Sequence, residues 1–65
     1  MNVSNQYGDV INFDIAVNLM DDEIREQLAN DGSDRSEQEF FEAYAKEHLK
    51  KYGSKWELDR YNPQY

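Results

Sequence analysis

Between residues 36 and 53 the chain reads SEQEFFEAYAKEHLKKYG, and there a helix start, an apolar stripe and a helix stop agree. Phe40, Phe41, Tyr44, Ala45, His48, Leu49 and Tyr52 recur at helical spacing and form one broad, mostly aromatic face. Ser36 stands three residues before Glu39, the capping box in which each side chain satisfies the other's free backbone N–H. Glu37 and Glu39 suit the positive end of the helix dipole, Lys50 and Lys51 the negative end, and Gly53 offers a left-handed C-cap. This pattern predicts a helix over about 36–52.

The stretch before it supports two readings. Ile11, Phe13, Ile15, Val17 and Leu19 alternate with Asn12, Asp14, Ala16 and Asn18, as a half-buried strand would. On the other reading Phe13, Ala16, Val17, Met20, Ile24 and Leu28 lie on one helical stripe, with Asn12 or Asp14 as the N-cap. The helix is preferred because its stripe continues through MDDEIREQL at 20–28, whereas the alternation stops at Asp21. Ile15 and Leu19 fall off that stripe and are the best argument for a strand. A helix over about 13–30 is expected, closed by the turn formers Asp31, Gly32 and Ser33.

A short loop between two helices favours an antiparallel hairpin. Residues 1–10 show neither period and read as an extended arm. After Gly53, the segment SKWELDRYNPQY carries Trp56, Leu58, Tyr61 and Tyr65, and Pro63 bars further helix. So small a chain has few other residues to complete a core, so Trp56 and Leu58 are expected to fold back over the hairpin, with a short strand against Val10 and Ile11 as one form of that packing. The competing expectation is a secondary contact surface of Trp56, Tyr61 and Tyr65 serving a homo-oligomer or an adaptor. The expected architecture is all-α: one small domain over residues 1–65, a two-helix hairpin with both arms packed on it.

Charge changes the picture from fold to partners. Of 14 acidic and 7 basic residues, seven acids and one base lie in residues 1–33, a local charge of −6, while residues 34–65 are nearly balanced at −1. A concentrated anionic face repels nucleic acid and phospholipid and attracts basic protein surfaces. In the second helix Glu42 and Glu47 each precede a lysine by four residues, the stabilising order. In the first helix Asp21 faces Arg25, but Asp22 stacks on Glu26, and Asp14, Glu23 and Asp31 meet no base along that helix. Like charges four apart destabilise a helix by a few tenths of a kcal/mol, so this row points to a partner rather than to helix stability. Carboxylates at about 6 Å intervals along a helix loosely imitate the linear charge of a nucleic-acid strand.

Candidate chemistry is sparse. His48 is the single histidine, so a Ser-His-Asp arrangement would depend on it alone, and the absence of cysteine removes Cys-His dyads, disulfides and Cys-based zinc sites. A lone histidine on a helical apolar stripe reads as a boundary residue making one hydrogen bond. The acids at 21–26 lack the loop spacing and turn glycine of a calcium site. No glycine-rich phosphate loop and no basic-aromatic patch appears. Neither cofactor nor metal is expected, and the chain is read as non-enzymatic. MNVSNQYGDV has no basic region followed by an apolar run, and no membrane-length apolar window follows, so a cytoplasmic protein is expected.

MDDEIREQL (20–28), SEQEFFEAYAKEHLKKYG (36–53) and the closing ELDRYNPQY resemble the small acidic proteins of bacteriophages and mobile elements, the class that includes anti-CRISPR proteins. The resemblance is one of style over about two thirds of the chain, and it carries no residue-level motif. It implies a phage-encoded inhibitor without catalysis, acting on a host defence complex, with a Cas-type effector as the expected target. Combined with the charge pattern, it makes Asp14, Asp21, Asp22, Glu23 and Glu26 the expected partner-binding residues, facing a basic, nucleic-acid-binding protein surface. Direct contact with nucleic acid or membrane is not expected, and a homodimer stays open.

Overall fold

The structure, a computed structural model, describes residues 1–32 and 34–60. Tyr61 and Tyr65 lie outside the described residues. The elements in order are β1 (Asn2–Ser4), β2 (Val10–Asn12), α1 (Phe13–Asn18), α2 (Asp22–Ala29), α3 (Glu37–Tyr52) and a 3-10 turn at Glu57–Asp59. The fold is therefore mixed, three helices and a small antiparallel sheet, rather than the expected all-α hairpin.

The arm at 1–10 turns out to be half of a β-hairpin. β1 pairs antiparallel with β2 in the register Asn2 with Asn12, Val3 with Ile11 and Ser4 with Val10. Asn5 organises the loop between them. Its side-chain oxygen accepts from the N–H groups of Tyr7 and Asp9, and its own backbone N–H donates to the Asp9 carbonyl. Such an Asx-type turn competes with regular structure through purely local bonds. Gly8, at φ 86°, takes the one left-handed position in this loop. Three-residue strands are too short to show a period of two, which is why the polar arm carried no visible strand signal.

The long first helix is broken in two. The stripe Phe13, Ala16, Val17, Met20, Ile24 and Leu28 does face the core, with Ala16, Met20, Ile24 and Leu28 buried and Phe13 and Val17 packed against them. At Leu19 and Met20, however, the chain closes with tighter i to i−3 bonds to Ala16 and Val17, and Asp21 turns extended at φ −63°, ψ 129°. Asp21 then restarts the helix as an N-cap, its carboxylate accepting from the Ile24 N–H at 3.2 Å. The preceding segment also divides: residues 10–12 are strand and 13–18 are helix, with Asn12 accepting from the N–H groups of Asp14 and Ile15. Both readings of that stretch were partly right.

α3 has the expected bounds and caps, but the C-terminal end of its apolar stripe, Leu49 and Tyr52, is exposed at 45% and 51%. Ser36 and Glu39 form the reciprocal capping box, and Gly53 closes the helix at φ 72°. Its buried face meets the other elements at Phe41, Tyr44 and Ala45. Gln38 closes the outer edge of β1, donating to the Ser4 carbonyl at 2.8 Å and accepting from the Ser4 N–H at 2.9 Å, as a neighbouring strand would.

Trp56 folds back and is 3% exposed, its ring centroid 4.4 Å from that of Tyr44 and 5.2 Å from that of Phe41. The segment packs through a 3-10 turn at Glu57–Asp59 and not through the short strand that was one form of that packing; β1 holds the place beside β2. Leu58 is half-buried, and its carbonyl accepts from the Asn5 side chain at 2.9 Å, tying the C-terminal turn to the N-terminal loop. Trp56→Ala removes the largest group closing this core and is expected to cost about 3–5 kcal/mol. That approaches the whole stability of a chain of 65 residues, on the order of 3–10 kcal/mol. Urea unfolding followed by circular dichroism should show a largely unfolded variant at 25 °C.

Candidate interaction surface

The five acidic residues singled out from the sequence do not behave alike. Asp21 is drawn inward, to the junction of α2 and α3. Its backbone N–H donates to the Tyr44 hydroxyl at 2.7 Å, while its carboxylate accepts from the Tyr52 hydroxyl at 2.8 Å and the Lys51 ammonium at 3.1 Å, besides capping α2. Lys51 also reaches Glu23 at 3.2 Å and lies over the Tyr52 ring. The hydrogen bond from Tyr52, helped by Lys51 and the Ile24 N–H, holds the Asp21 carboxyl down at about 2, from an ordinary 3.8. The bonds to Asp21 and Glu23 push the Lys51 ammonium above its ordinary value, and donation to Asp21 raises the Tyr52 phenol.

The remaining acids project into solvent. Asp22 and Glu23 have side chains 84% and 82% exposed. Glu26 and Asp14 are exposed on α2 and in the first turn of α1, respectively, without an ion-pair partner among the described residues. Asp22, Glu23 and Glu26 thus share one short helix, and Asp14 stands on another element.

Several pairings differ from expectation. Arg25 pairs with Asp22 at 3.1 Å rather than with Asp21, because the cap turns Asp21 toward α3. Asp31 and Glu23 both have partners, Arg35 at 2.8 Å and Lys51. Lys51 crosses to α2 instead of serving Glu47. Residues 21 and 51 are 30 positions apart, so no local spacing rule could reveal that bond. His48 makes its hydrogen bond at Nδ1 with the Ser54 carbonyl, 3.0 Å away, and its ring lies against Tyr52 and Tyr44. It thereby fastens the turn after α3.

No group of three or more His, Cys, Asp or Glu side chains among the described residues is arranged to hold a metal. No helix among them is long and apolar enough to cross a membrane. Open grooves are present, one of about 460 Å³ lined by Phe41, Ala45, Leu49, Lys46 and Lys55 among others. What the surface offers is charge rather than an enclosed reaction site.

Fold and surface together describe a small acidic protein that carries outward-facing carboxylates on a braced helix. The family model described as anti-CRISPR protein AcrIC5 matches residues 4–56, and the chain belongs to that family. It is accordingly a phage-type inhibitor of CRISPR–Cas. No curated protein matches the chain.

The depressed Asp21 carboxyl makes a signed prediction. Its folded value lies below the ordinary 3.8, so its contribution to stability is complete above about pH 4 and is lost as pH falls through about 2. Urea midpoints measured from pH 5 to pH 2 should fall through that window. In Asp21→Asn the midpoint should start lower and decline less steeply.

Proposed function

We propose that the protein is a non-enzymatic inhibitor that lays the carboxylates of α2, with Asp14, against a basic, nucleic-acid-binding surface of a Cas-type host complex and so excludes nucleic acid from it. Membership in an anti-CRISPR family supports the class of target. The observation that carries the surface is the disposition of charge on α2: Asp22, Glu23 and Glu26 face water while Asp21 anchors the helix from beneath. Asp22 and Glu26 sit four residues apart, about 6 Å along the axis, and present charge in a line to which lysines and arginines that normally hold phosphates would also be drawn.

Like-charged neighbours weaken a helix of eight residues. Here the N-cap, the acids of the first turn at the positive end of the dipole, and the buried Ile24 and Leu28 offset that cost. The row is thereby held fixed in the free protein, which lowers the ordering cost of binding. Asp21 is assigned a supporting role, since replacing it would disturb the junction as well as the charge.

The aromatic-tail reading is not favoured. Trp56 is enclosed by Phe41 and Tyr44 rather than offered to a partner.

The test is the triple variant Asp14→Asn, Asp22→Asn, Glu26→Gln, which leaves the Asp21 junction intact. Its far-UV circular dichroism should match the parent's. Affinity for the purified, guide-loaded Cas effector complex should drop by about tenfold at low salt, and less at high salt, where exposed charges are screened. Undiminished binding at moderate salt would refute the charge-imitation mechanism. So would simultaneous occupancy of the complex by target DNA and this protein.

A further inference from the structure

α1 and its C-cap residue, Leu19, present two aliphatic side chains to solvent. Ile15 and Leu19 are 58% and 47% exposed, although Ala16 and Met20 beside them are buried. Neither belongs to the core or to the half-buried hydrophobics packed against it. They are four residues apart, and Leu19 keeps helical backbone angles (φ −95°, ψ 0°), so both lie on one face of α1. This is the pair that fell off the helical stripe in the sequence. The structure shows why: they form a second apolar face, pointing away from the core.

Their surroundings restrict what can cover them. Asp14 precedes Ile15 directly, and Asp22 follows Leu19 by three residues, a Cα separation of at most about 11 Å. Both carboxylates are exposed. A phosphate-rich surface, whether nucleic acid or anionic lipid, would meet these charges with repulsion. A second copy would bring another chain of net charge −7, with the same carboxylates beside the same patch. The complementary surface is a protein surface with an aliphatic pocket bordered by lysine or arginine. Apolar centres with charged rims are the usual anatomy of a specific protein interface, and the apolar anchor carries most of the affinity.

We infer that Ile15 and Leu19 are the apolar anchor with which this protein seats on its target, and that Asp14 and Asp22 are part of the charged rim around it. The inference rests on the proposed function for the identity of the partner, a Cas-type complex. It adds that recognition does not run on charge alone. A protein that imitated nucleic acid only by charge would bind any polycation-lined groove; an aliphatic pair beside the acids selects grooves that also have an apolar pocket.

The experiment replaces both anchors with glutamine, Ile15→Gln and Leu19→Gln, which preserves length and helix propensity. Leu49→Gln, an exposed position on α3, is the control. Binding of each variant to the guide-loaded Cas effector complex is measured at low and high salt, beside the triple acid variant. The anchor predicts a loss of about tenfold or more at both salts for the double variant, with unchanged circular dichroism and urea midpoint, and no loss for Leu49→Gln. Parent-like binding by the double variant, with a loss in the acid variant, overturns the anchor and leaves the charge mechanism standing. Parent-like binding by both overturns both. An equal loss from Leu49→Gln, or a parent dimer in sedimentation that the double variant dissociates, also overturns the anchor.

Discussion

The contact on which the structure turns is the hydrogen bond from the Asp21 N–H to the Tyr44 hydroxyl. Each partner has a problem that the other solves. Tyr44 is 1% exposed, its ring enclosed by Trp56, and a phenol in such a place needs a partner for its hydroxyl. Asp21 begins a helix, where backbone N–H groups lack intrahelical acceptors. Burial raises the Tyr44 phenol above its ordinary value. The bond sets α2 on α3 at that point, and the Asp21 carboxylate then draws in Lys51 and Tyr52 from the end of α3. Break, cap and docking are one event.

That event sorts the acidic residues by role. A carboxylate used as a cap and ion-pair partner cannot also be offered to another protein, so Asp21 serves the fold. Asp22, Glu23 and Glu26 follow it on a helix whose first turn favours negative charge and whose inner face is pinned by Ile24 and Leu28. Nor is the helix held by the strength of its own surface pairs. An exposed pair such as Asp22 with Arg25 adds little and is weakened by salt. Burial and the cap do the holding, which leaves the outer face open to selection for another purpose. Under the proposed function, that purpose is contact with a Cas-type complex.

The two ends of the chain depend on each other in a similar way. Asn5 is buried, although asparagine is mostly found at surfaces. Its amide reaches the loop N–H groups of Tyr7 and Asp9, the Asp9 carboxylate and the Leu58 carbonyl, so its polar atoms are satisfied. Gln38 does the same for the outer edge of β1. A two-stranded hairpin is marginal by itself, and these amides, with Val3 in the core, join it to α3.

The chain's local grammar determined the bounds of α3 and the inward turn of Phe41, Tyr44 and Ala45: its capping box, apolar spacing and glycine stop are relations among residues three or four apart, although Leu49 and Tyr52 on the expected stripe are exposed. It also determined which residues face inward from 13 to 28, and that Trp56 needs cover. The acidic row was legible as composition and spacing. Tertiary structure alone decided the rest. The break before Asp22 has no glycine or proline to announce it; it exists because Tyr44, 23 residues away, holds the Asp21 N–H. The hairpin of the polar arm, turned by Asn5's local bonds, is held against the rest of the fold by the bond from Asn5 to Leu58, 53 residues on. Lys51 left its neighbour at i−4 for Asp21 and Glu23 across the junction. Each of these outcomes rests on a bond between residues distant in sequence, which no periodicity along the chain encodes.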